Sequence, residues 1–162
     1  MKLDSIFTDH AVFPANKPII IFGTGSGRAA VKFNGIITEI NSEGDRWQVE
    51  LPKMDYGGPY TMEFLSDEGN EALTDIYIGE VLLFSGQSNM AFQLKDSVDT
   101  PLEYYSDTFP LLRYVEINES NTLVPWIVAC GDYAPFWSAI GYIAGRECAR
   151  KKGVAIGVIT SL

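Results

Sequence analysis

The first half of the chain alternates apolar and polar residues in short runs, which is the pattern of half-buried β-strands. Ile19–Phe22 is a β-branched run, while Trp47–Leu51 and Tyr60–Leu65 alternate apolar and polar side chains so that each buries one face. Asn34 and Gly35 form the strongest short hairpin signal, because both central residues of that tight turn need a positive φ. Short strands separated by turn residues predict a β-sandwich over residues 1–78.

The pattern changes after residue 78 to that of an α/β domain. Val81–Phe84 is a continuous apolar run, which predicts a parallel strand covered on both faces, and Leu111–Ile117 and Val154–Thr160 predict two more strands. Ser138 can cap a helix that ends at Gly153. The apolar face expected of that helix consists of Ile140, Ile143, Ala144 and Cys148. Residues 79–162 are therefore predicted to form the first part of a parallel α/β domain that packs on the sandwich.

The third of these strands makes the α/β domain look incomplete. Val154–Thr160 lies two residues from the end of the sequence, where it would be an edge strand. A run this apolar belongs inside a sheet, because an exposed apolar edge pairs with other chains. The sequence therefore favours a truncated domain.

Composition and charge exclude several classes of partner. Twelve basic and 21 acidic side chains give a net charge of −9, which argues against nucleic acid, because phosphate binding needs a basic surface. No apolar run approaches the ~20 residues that a membrane-spanning helix needs. Met1–Asp4 leads straight into charged residues and lacks a secretory signal, so a cytoplasmic location is expected. Cys130 and Cys148 lack the spacing of a disulfide framework or zinc site, and no metal or cofactor is predicted.

Two further motifs have plain structural interpretations. Gly23–Gly27 lacks the G-x-G-x-x-G spacing and the following helix of a dinucleotide-binding loop, so an ordinary loop is expected. His10 is the only histidine of the chain, and a structural imidazole bonded near Asp9 is the plain interpretation.

Ser88 is the best candidate for chemistry. It follows a buried strand on the glycine-flanked turn Gly86–Met90, and the carboxyl end of a parallel strand is where open α/β sheets bind ligands. A serine at this position is a candidate nucleophile, with the N-terminus of a following helix and its own N–H able to stabilise an oxyanion. A serine that merely caps the next helix has the same local pattern. The residues alone leave both interpretations open.

Residues 79–90, ending in Ser85–Met90, resemble the start of the catalytic domain in the sialate O-acetylesterase family of SGNH-type carbohydrate esterases. The likeness extends upstream over residues 7–12, 47–52 and 57–60, and downstream over residues 137–142, 149–153 and 157–159. The resemblance implies a β-sandwich followed by a flavodoxin-like SGNH domain. It further implies an esterase that removes acetyl groups from sugar hydroxyls of sialic acid or plant glycans, without a cofactor.

The same resemblance assigns roles to three residues of the turn. Ser88 would be the nucleophile and its N–H one oxyanion donor, while Gln87 and Asn89 would shape the turn or contact substrate. Leu82 and Phe84 replace the usual Trp and Cys of the strand, which is a tolerable change in a core.

Departures from the family pattern indicate an N-terminal fragment. Leu162 stands where the family usually has a second serine, and the Trp-Gly-Gly, asparagine and Asp-x-x-His blocks that should follow are absent. A serine without its base is a poor nucleophile, so the 162-residue chain alone is expected to be inactive. The protein partner implied is the remaining C-terminal polypeptide or a second copy of the chain.

Two alternatives use other residues. A non-catalytic sugar-binding or assembly module could stack sugars on Trp47, Tyr56 or Tyr60, although aromatic residues of sandwiches are more often core. A minimal dyad could form if His10 folds over Ser88, but the two residues lie in different halves of the chain.

Overall fold

The computed structural model describes residues 1–98, 100–102, 108–118 and 123–161. Within those residues it contains eleven β-strands and two α-helices. The strands are β1 (Lys2–Leu3), β2 (Val12–Pro14), β3 (Ile19–Thr24), β4 (Gly27–Phe33), β5 (Ile36–Ser42), β6 (Arg46–Leu51), β7 (Gly57–Ser66), β8 (Gly69–Ser85), β9 (Phe109–Ile117), β10 (Leu123–Ala129) and β11 (Ile156–Ser161). The helices are α1 (Ser88–Ala91) and α2 (Ala139–Lys152), and 3₁₀ turns lie at Leu94–Asp96 and Ala134–Phe136.

The N-terminal half is the predicted β-sandwich. A three-stranded antiparallel sheet, in the order β1-β3-β6, forms one layer, and β4, β5, β7 and the first part of β8 form the other. The hairpin between β4 and β5 is confirmed, with Phe33 opposite Ile36 and positive φ at Asn34 and Gly35. The glycine string at 23–27 connects β3 directly to β4, so a strand follows it where a dinucleotide-binding loop needs a helix.

One long strand, β8, joins the two halves. Its first part pairs antiparallel with β7 as far as Ile78, and Glu80–Ser85 pairs parallel with β11. The sheet runs on in the order β10-β9-β11-β8-β7-β4-β5, with β2 also paired to β8. The boundary expected between residues 78 and 79 therefore lies inside a strand that both units share. The fold class predicted from the sequence, a β-sandwich followed by parallel α/β strands and a helix, is confirmed.

The last strand occupies the interior of the sheet, and the expectation of a bare edge there is wrong. β11 pairs in parallel with β8 on one side and with β9 on the other. Its apolar sequence is thus explained by two flanking strands within the described chain. The sequence could not order the strands, because pairing between distant segments leaves no local signal.

The bare edge lies on β8. β11 covers one side of Glu80–Ser85, and on the other side the pairing with β2 stops at Gly79. Among the described residues no strand pairs with that second side beyond Gly79. Leu83 is 67% exposed, so the prediction that Val81–Phe84 is covered on both faces is wrong for the described elements.

Helix α2 has the predicted ends but a different buried face. Ser138 accepts a hydrogen bond from the Gly141 N–H at 3.3 Å, and Gly153 ends the helix with φ of +66°. The face on the sheet carries small residues: a Cβ at Gly145 would lie 2.7 Å from Leu112 and Val158 side-chain atoms. Ile140 and Ile143, expected on the buried face, are both exposed to solvent. Close contact at Gly141 and Gly145 explains the difference, because it leaves no room there for larger residues, and Tyr142 is the one large side chain among the buried residues of the helix.

Strand β10 was not among the predicted strands. Its apolar run Leu123–Ala129 contains Pro125, which breaks the pairing with β9 between Val124 and Ile127. Trp126 of this strand is buried, and its indole N–H donates to the Ile6 carbonyl at 3.0 Å.

The two halves pack against each other, as the sequence indicated. The sandwich core includes Val115 of β9 and Trp126 of β10. A second core, around Tyr114, Trp137 and Tyr142, lies between α2 and the parallel strands. Among the described helices, none has the length and apolar content needed to cross a bilayer.

Candidate active site

The turn after β8 presents Ser88 on a single helical turn. Gly86 has a φ of +158°, and a Cβ there would lie 3.0 Å from the Met90 Cγ. The Met90 N–H donates to the Gln87 carbonyl at 2.8 Å and closes the turn. Gln87, Ser88 and Asn89 are all exposed, so the three residues predicted for the site lie together at its surface.

This turn lies at the carboxyl edge of the parallel strands. Ser161 at the end of β11 is in register with Ser85 at the end of β8 and with Ile117 at the end of β9. Three parallel strands therefore end together, and Ser88 follows the outer one. This is the edge at which open α/β sheets place their ligands.

The Ser88 hydroxyl has no hydrogen-bond partner among the described residues. The N–H of Ser88 is at the first position of α1, where no intrahelical carbonyl can accept it. An exposed hydroxyl next to a free N–H is an arrangement that suits an acyl carbonyl: the oxygen can attack carbon while the N–H meets the developing oxyanion. No side chain of the described residues is hydrogen-bonded to this hydroxyl as a base that could remove its proton.

The first turn of α2 holds the chain that follows Ser88. The Ala139 N–H donates to the Phe92 carbonyl at 2.8 Å, and the Leu94 N–H donates to the Trp137 carbonyl at 2.9 Å. Gln93 and Ser138 form an isolated antiparallel bridge between them. The N-terminus of α2 thus fixes the position of α1 relative to the sheet.

A buried tyrosine hydroxyl ties the N-terminus of α2 to two strand ends. Tyr114 donates to the Glu116 carboxylate at 2.8 Å and accepts from the Thr160 hydroxyl at 2.8 Å and from the Ser138 N–H at 3.3 Å. Burial, with the Glu116 carboxylate beside the hydroxyl, raises the pKa of Tyr114 above its usual range. Sequence analysis did not single out this residue. The one local signal was its spacing to Glu116, since alternate residues of a strand share a face.

We expect Tyr114→Phe to lower the free energy of unfolding by about 1–3 kcal/mol near neutral pH, because the buried Ser138 N–H and Thr160 hydroxyl and the half-buried Glu116 carboxylate lose their partner. Above about pH 10 the unfolded tyrosine ionises while the folded one stays protonated, so the wild-type protein loses stability that the variant cannot lose. The difference in unfolding free energy between the wild-type protein and Tyr114→Phe should therefore shrink by up to about 1.4 kcal/mol per pH unit above about pH 10. Urea unfolding at about pH 8 and about pH 11 measures it.

The exposed Tyr133 supplies the control for this experiment. A Tyr133→Phe variant should match the wild-type protein at both pH values. A difference between wild type and Tyr114→Phe that stays constant or widens in alkali would contradict the buried-hydroxyl interpretation.

His10 lies far from Ser88 and has a different partner from the one expected. Its Nδ1 lies 2.7 Å from the Asp75 carboxylate, while Asp9 accepts from the Thr74 N–H. Asp75 precedes the end of β8 by ten residues, which at the rise of a strand is about 30 Å. His10 therefore does not form a dyad with Ser88 of the same chain.

The aromatic residues of the sugar-binding alternative are mostly in the core. Trp47 is buried and stacks on Phe64 with ring centroids 5.5 Å apart. Tyr60 packs edge-on against Phe33. Tyr56 is exposed, and its hydroxyl donates to Glu80 at 2.6 Å. Two of the three rings are core residues and the third is hydrogen-bonded to Glu80, so no observation on these residues favours the module.

The described residues contain no group of three or more His, Cys, Asp or Glu side chains placed to share a metal ion. Leu162, which the resemblance aligns with a second serine, lies outside the described residues.

Comparison with known proteins gives a structural match. No protein-family model matches the sequence, and no curated protein matches it. A crystal structure of a carbohydrate acetylesterase from Xanthomonas citri superimposes with a TM-score of 0.88 and 26% sequence identity, covering 99% of this chain. The chain has an esterase-like fold. It spans 40% of the length of that esterase.

Proposed function

We propose that this chain is the N-terminal portion of a carbohydrate O-acetylesterase of the sialate O-acetylesterase type, with Ser88 as its nucleophile. The position of Ser88 carries the proposal, because an exposed serine follows a parallel strand at the ligand edge of a fold similar to a carbohydrate acetylesterase. The likeness of residues 79–90 to the family's first motif supports the same role.

The reaction is acyl transfer in two steps. The Ser88 Oγ attacks the acetyl carbonyl carbon and gives its proton to a base, and the sugar oxygen leaves and takes a proton to become a free hydroxyl. Water then attacks the acetyl-serine, which releases acetate and restores the serine. The Ser88 N–H stabilises the oxyanion in both steps. Gln87 and Asn89 flank the nucleophile and contact substrate or hold the turn.

The base comes from additional polypeptide. Three observations on the described residues support this part of the proposal: none of them is a hydrogen-bond partner of the Ser88 hydroxyl, His10 is distant, and none of their strands pairs with the edge of β8 beside the exposed Leu83. A further strand from the same polypeptide would pair with that edge and extend the sheet toward the site. The resemblance implies that the base is supplied by an Asp-x-x-His block later in the polypeptide, so the remaining C-terminal polypeptide is the partner we favour over a homo-oligomer.

The proposal is tested by assaying two proteins side by side. We expect the 162-residue chain alone to release no acetate above the buffer blank, and the chain extended by its downstream coding sequence to hydrolyse acetylated sugars. Acetate release from O-acetylated sialic acid and from acetylated xylo-oligosaccharides should be measured in parallel, because an acidic chain is not steered toward either.

The two arms separate the parts of the proposal. Equal activity of both proteins would contradict the requirement for additional polypeptide. An extended protein that is folded but releases acetate from neither class of sugar would contradict the esterase assignment.

A further inference from the structure

An exposed aromatic ring lies one helical turn after Ser88. Phe92 directly follows α1 and is 48% exposed. Residues four apart on a helix share a face, with Cβ atoms about 5–6 Å apart. Met90 lies on the other side of the turn, against the backbone of Gly86. Ser88, the first residue of α1, and Phe92, the residue that ends it, therefore lie one helical turn apart, and both are exposed.

The backbone at Phe92 is held in place by helix α2. The Phe92 carbonyl accepts from the Ala139 N–H at 2.8 Å, so the backbone that bears the ring is held by the first turn of α2. No other aromatic ring or cation of the described residues lies against Phe92. Phe136 is also exposed, but the Lys95 ammonium lies over its ring, 5.8 Å from the centroid. Among the described residues, Phe92 thus presents an open aromatic face one helical turn from the nucleophile.

Sugar rings have the complementary chemistry. A pyranose presents C–H groups on one face and hydroxyls at its rim, so the flat face of an aromatic ring can cover the C–H face and leave the hydroxyls free. When the acetyl ester sits on a ring hydroxyl, the attacked carbonyl is one atom from the ring. A sugar ring at that distance from the Ser88 hydroxyl is within reach of a side chain one helical turn away.

We infer that Phe92 is the stacking surface for the substrate's pyranose ring, and that the ester cleaved at Ser88 is carried by a ring hydroxyl. This inference rests on the proposed esterase function. An acetyl group on a flexible side chain outside the ring would hold the ring farther from Ser88 and away from Phe92. The proposal therefore names a substrate class, the ring-acetylated pyranosides.

The test is made in the extended polypeptide, with a monoacetylated methyl xyloside as the ring substrate and ethyl acetate as the ring-free ester. We expect Phe92→Ala to lower kcat/KM for the xyloside roughly 3- to 10-fold, mainly through a higher KM, and to leave ethyl acetate hydrolysis unchanged. Phe92→Trp should retain activity on the xyloside. Phe92→Leu should lower kcat/KM for the xyloside as much as Phe92→Ala does, because leucine is apolar but has no flat face.

Two controls separate the possible failures. Ile37→Ala removes an apolar side chain on β5 that is 61% exposed, against 48% for Phe92, and should change the hydrolysis of neither substrate. If hydrolysis is absent in the extended wild type, or survives Ser88→Ala, the proposed function fails. If hydrolysis depends on Ser88 but Phe92→Ala slows both esters equally, or neither, the stacking role is overturned. Full activity of Phe92→Leu on the xyloside would overturn it as well.

Discussion

Replacing Ser88 with alanine is expected to abolish acetyl-ester hydrolysis in the extended polypeptide, with a loss on the order of 10⁴-fold or more in kcat. Removing a serine nucleophile leaves only the binding and oxyanion contributions, because no other group can form the acetyl intermediate. The hydroxyl is exposed and has no partner among the described residues, so its loss should not disturb the fold. The measurement is acetate release at saturating substrate.

Ser26 provides a matched control for the loss of a hydroxyl. It is exposed in the glycine-rich loop between β3 and β4, on the sandwich. Ser26→Ala should therefore keep wild-type activity, and both variants should unfold at the wild-type urea concentration. Acetate release that persists in Ser88→Ala within a few-fold of wild type would rule out Ser88 as the nucleophile.

Elements set by neighbouring residues could be predicted from the sequence. The β4–β5 hairpin depends on Asn34 and Gly35 adopting positive φ, and the ends of α2 depend on Ser138 and Gly153. Each of these signals acts over a few residues. The turn that presents Ser88 belongs to the same group, because strand, glycine and helix follow one another along the chain.

Features that depend on distant segments could not be predicted. The interior place of β11 results from pairing with β8 and β9, which are separated from it in the sequence by the whole of α2. The prediction of which face of α2 is buried was wrong, because Gly145 approaches the sheet more closely than an isoleucine could. Tyr114 bonds to Ser138 and Thr160, which are 24 and 46 residues away in the sequence. The residues next to Tyr114 in the sequence therefore give no signal of these two hydrogen bonds.

A buried arginine at the junction of the two halves leads to the second large effect. The Arg113 side chain is 3% exposed and lies 3.1 Å from the Asp75 carboxylate. It also donates to the carbonyls of Asp75, His10 and Pro110, and its guanidinium lies 4.4 Å from the Tyr77 ring centroid. The Asp75 carboxylate therefore balances the buried charge of Arg113, whose side chain connects β9 to the sandwich.

We expect Asp75→Asn to lower the free energy of unfolding by about 3 kcal/mol, because it leaves the buried Arg113 charge uncompensated. Asparagine has the shape of aspartate and tolerates the left-handed backbone at this position, where φ is +55°. The variant therefore removes the charge without adding strain. Urea unfolding near neutral pH measures the loss.

The exposed pair Lys32–Glu63, at 3.2 Å, supplies the control. Glu63→Gln removes the same charge from a solvated pair and should cost less than about 1 kcal/mol. Equal costs for Asp75→Asn and Glu63→Gln would contradict the buried-charge argument.

The pH dependence gives an independent check on Asp75. Partial burial raises the pKa of Asp75. The hydrogen bonds from His10 and Arg113 and the charge of Arg113 together lower it by more, so the pKa is below its ordinary value. The stabilisation is then present above about pH 4, the ordinary pKa of aspartate, and is lost as the pH falls through the lower folded value. The gap between wild type and Asp75→Asn should accordingly close in acid. A gap that persists well below that pH would mean that the shape of the side chain, and not its charge, holds the junction together.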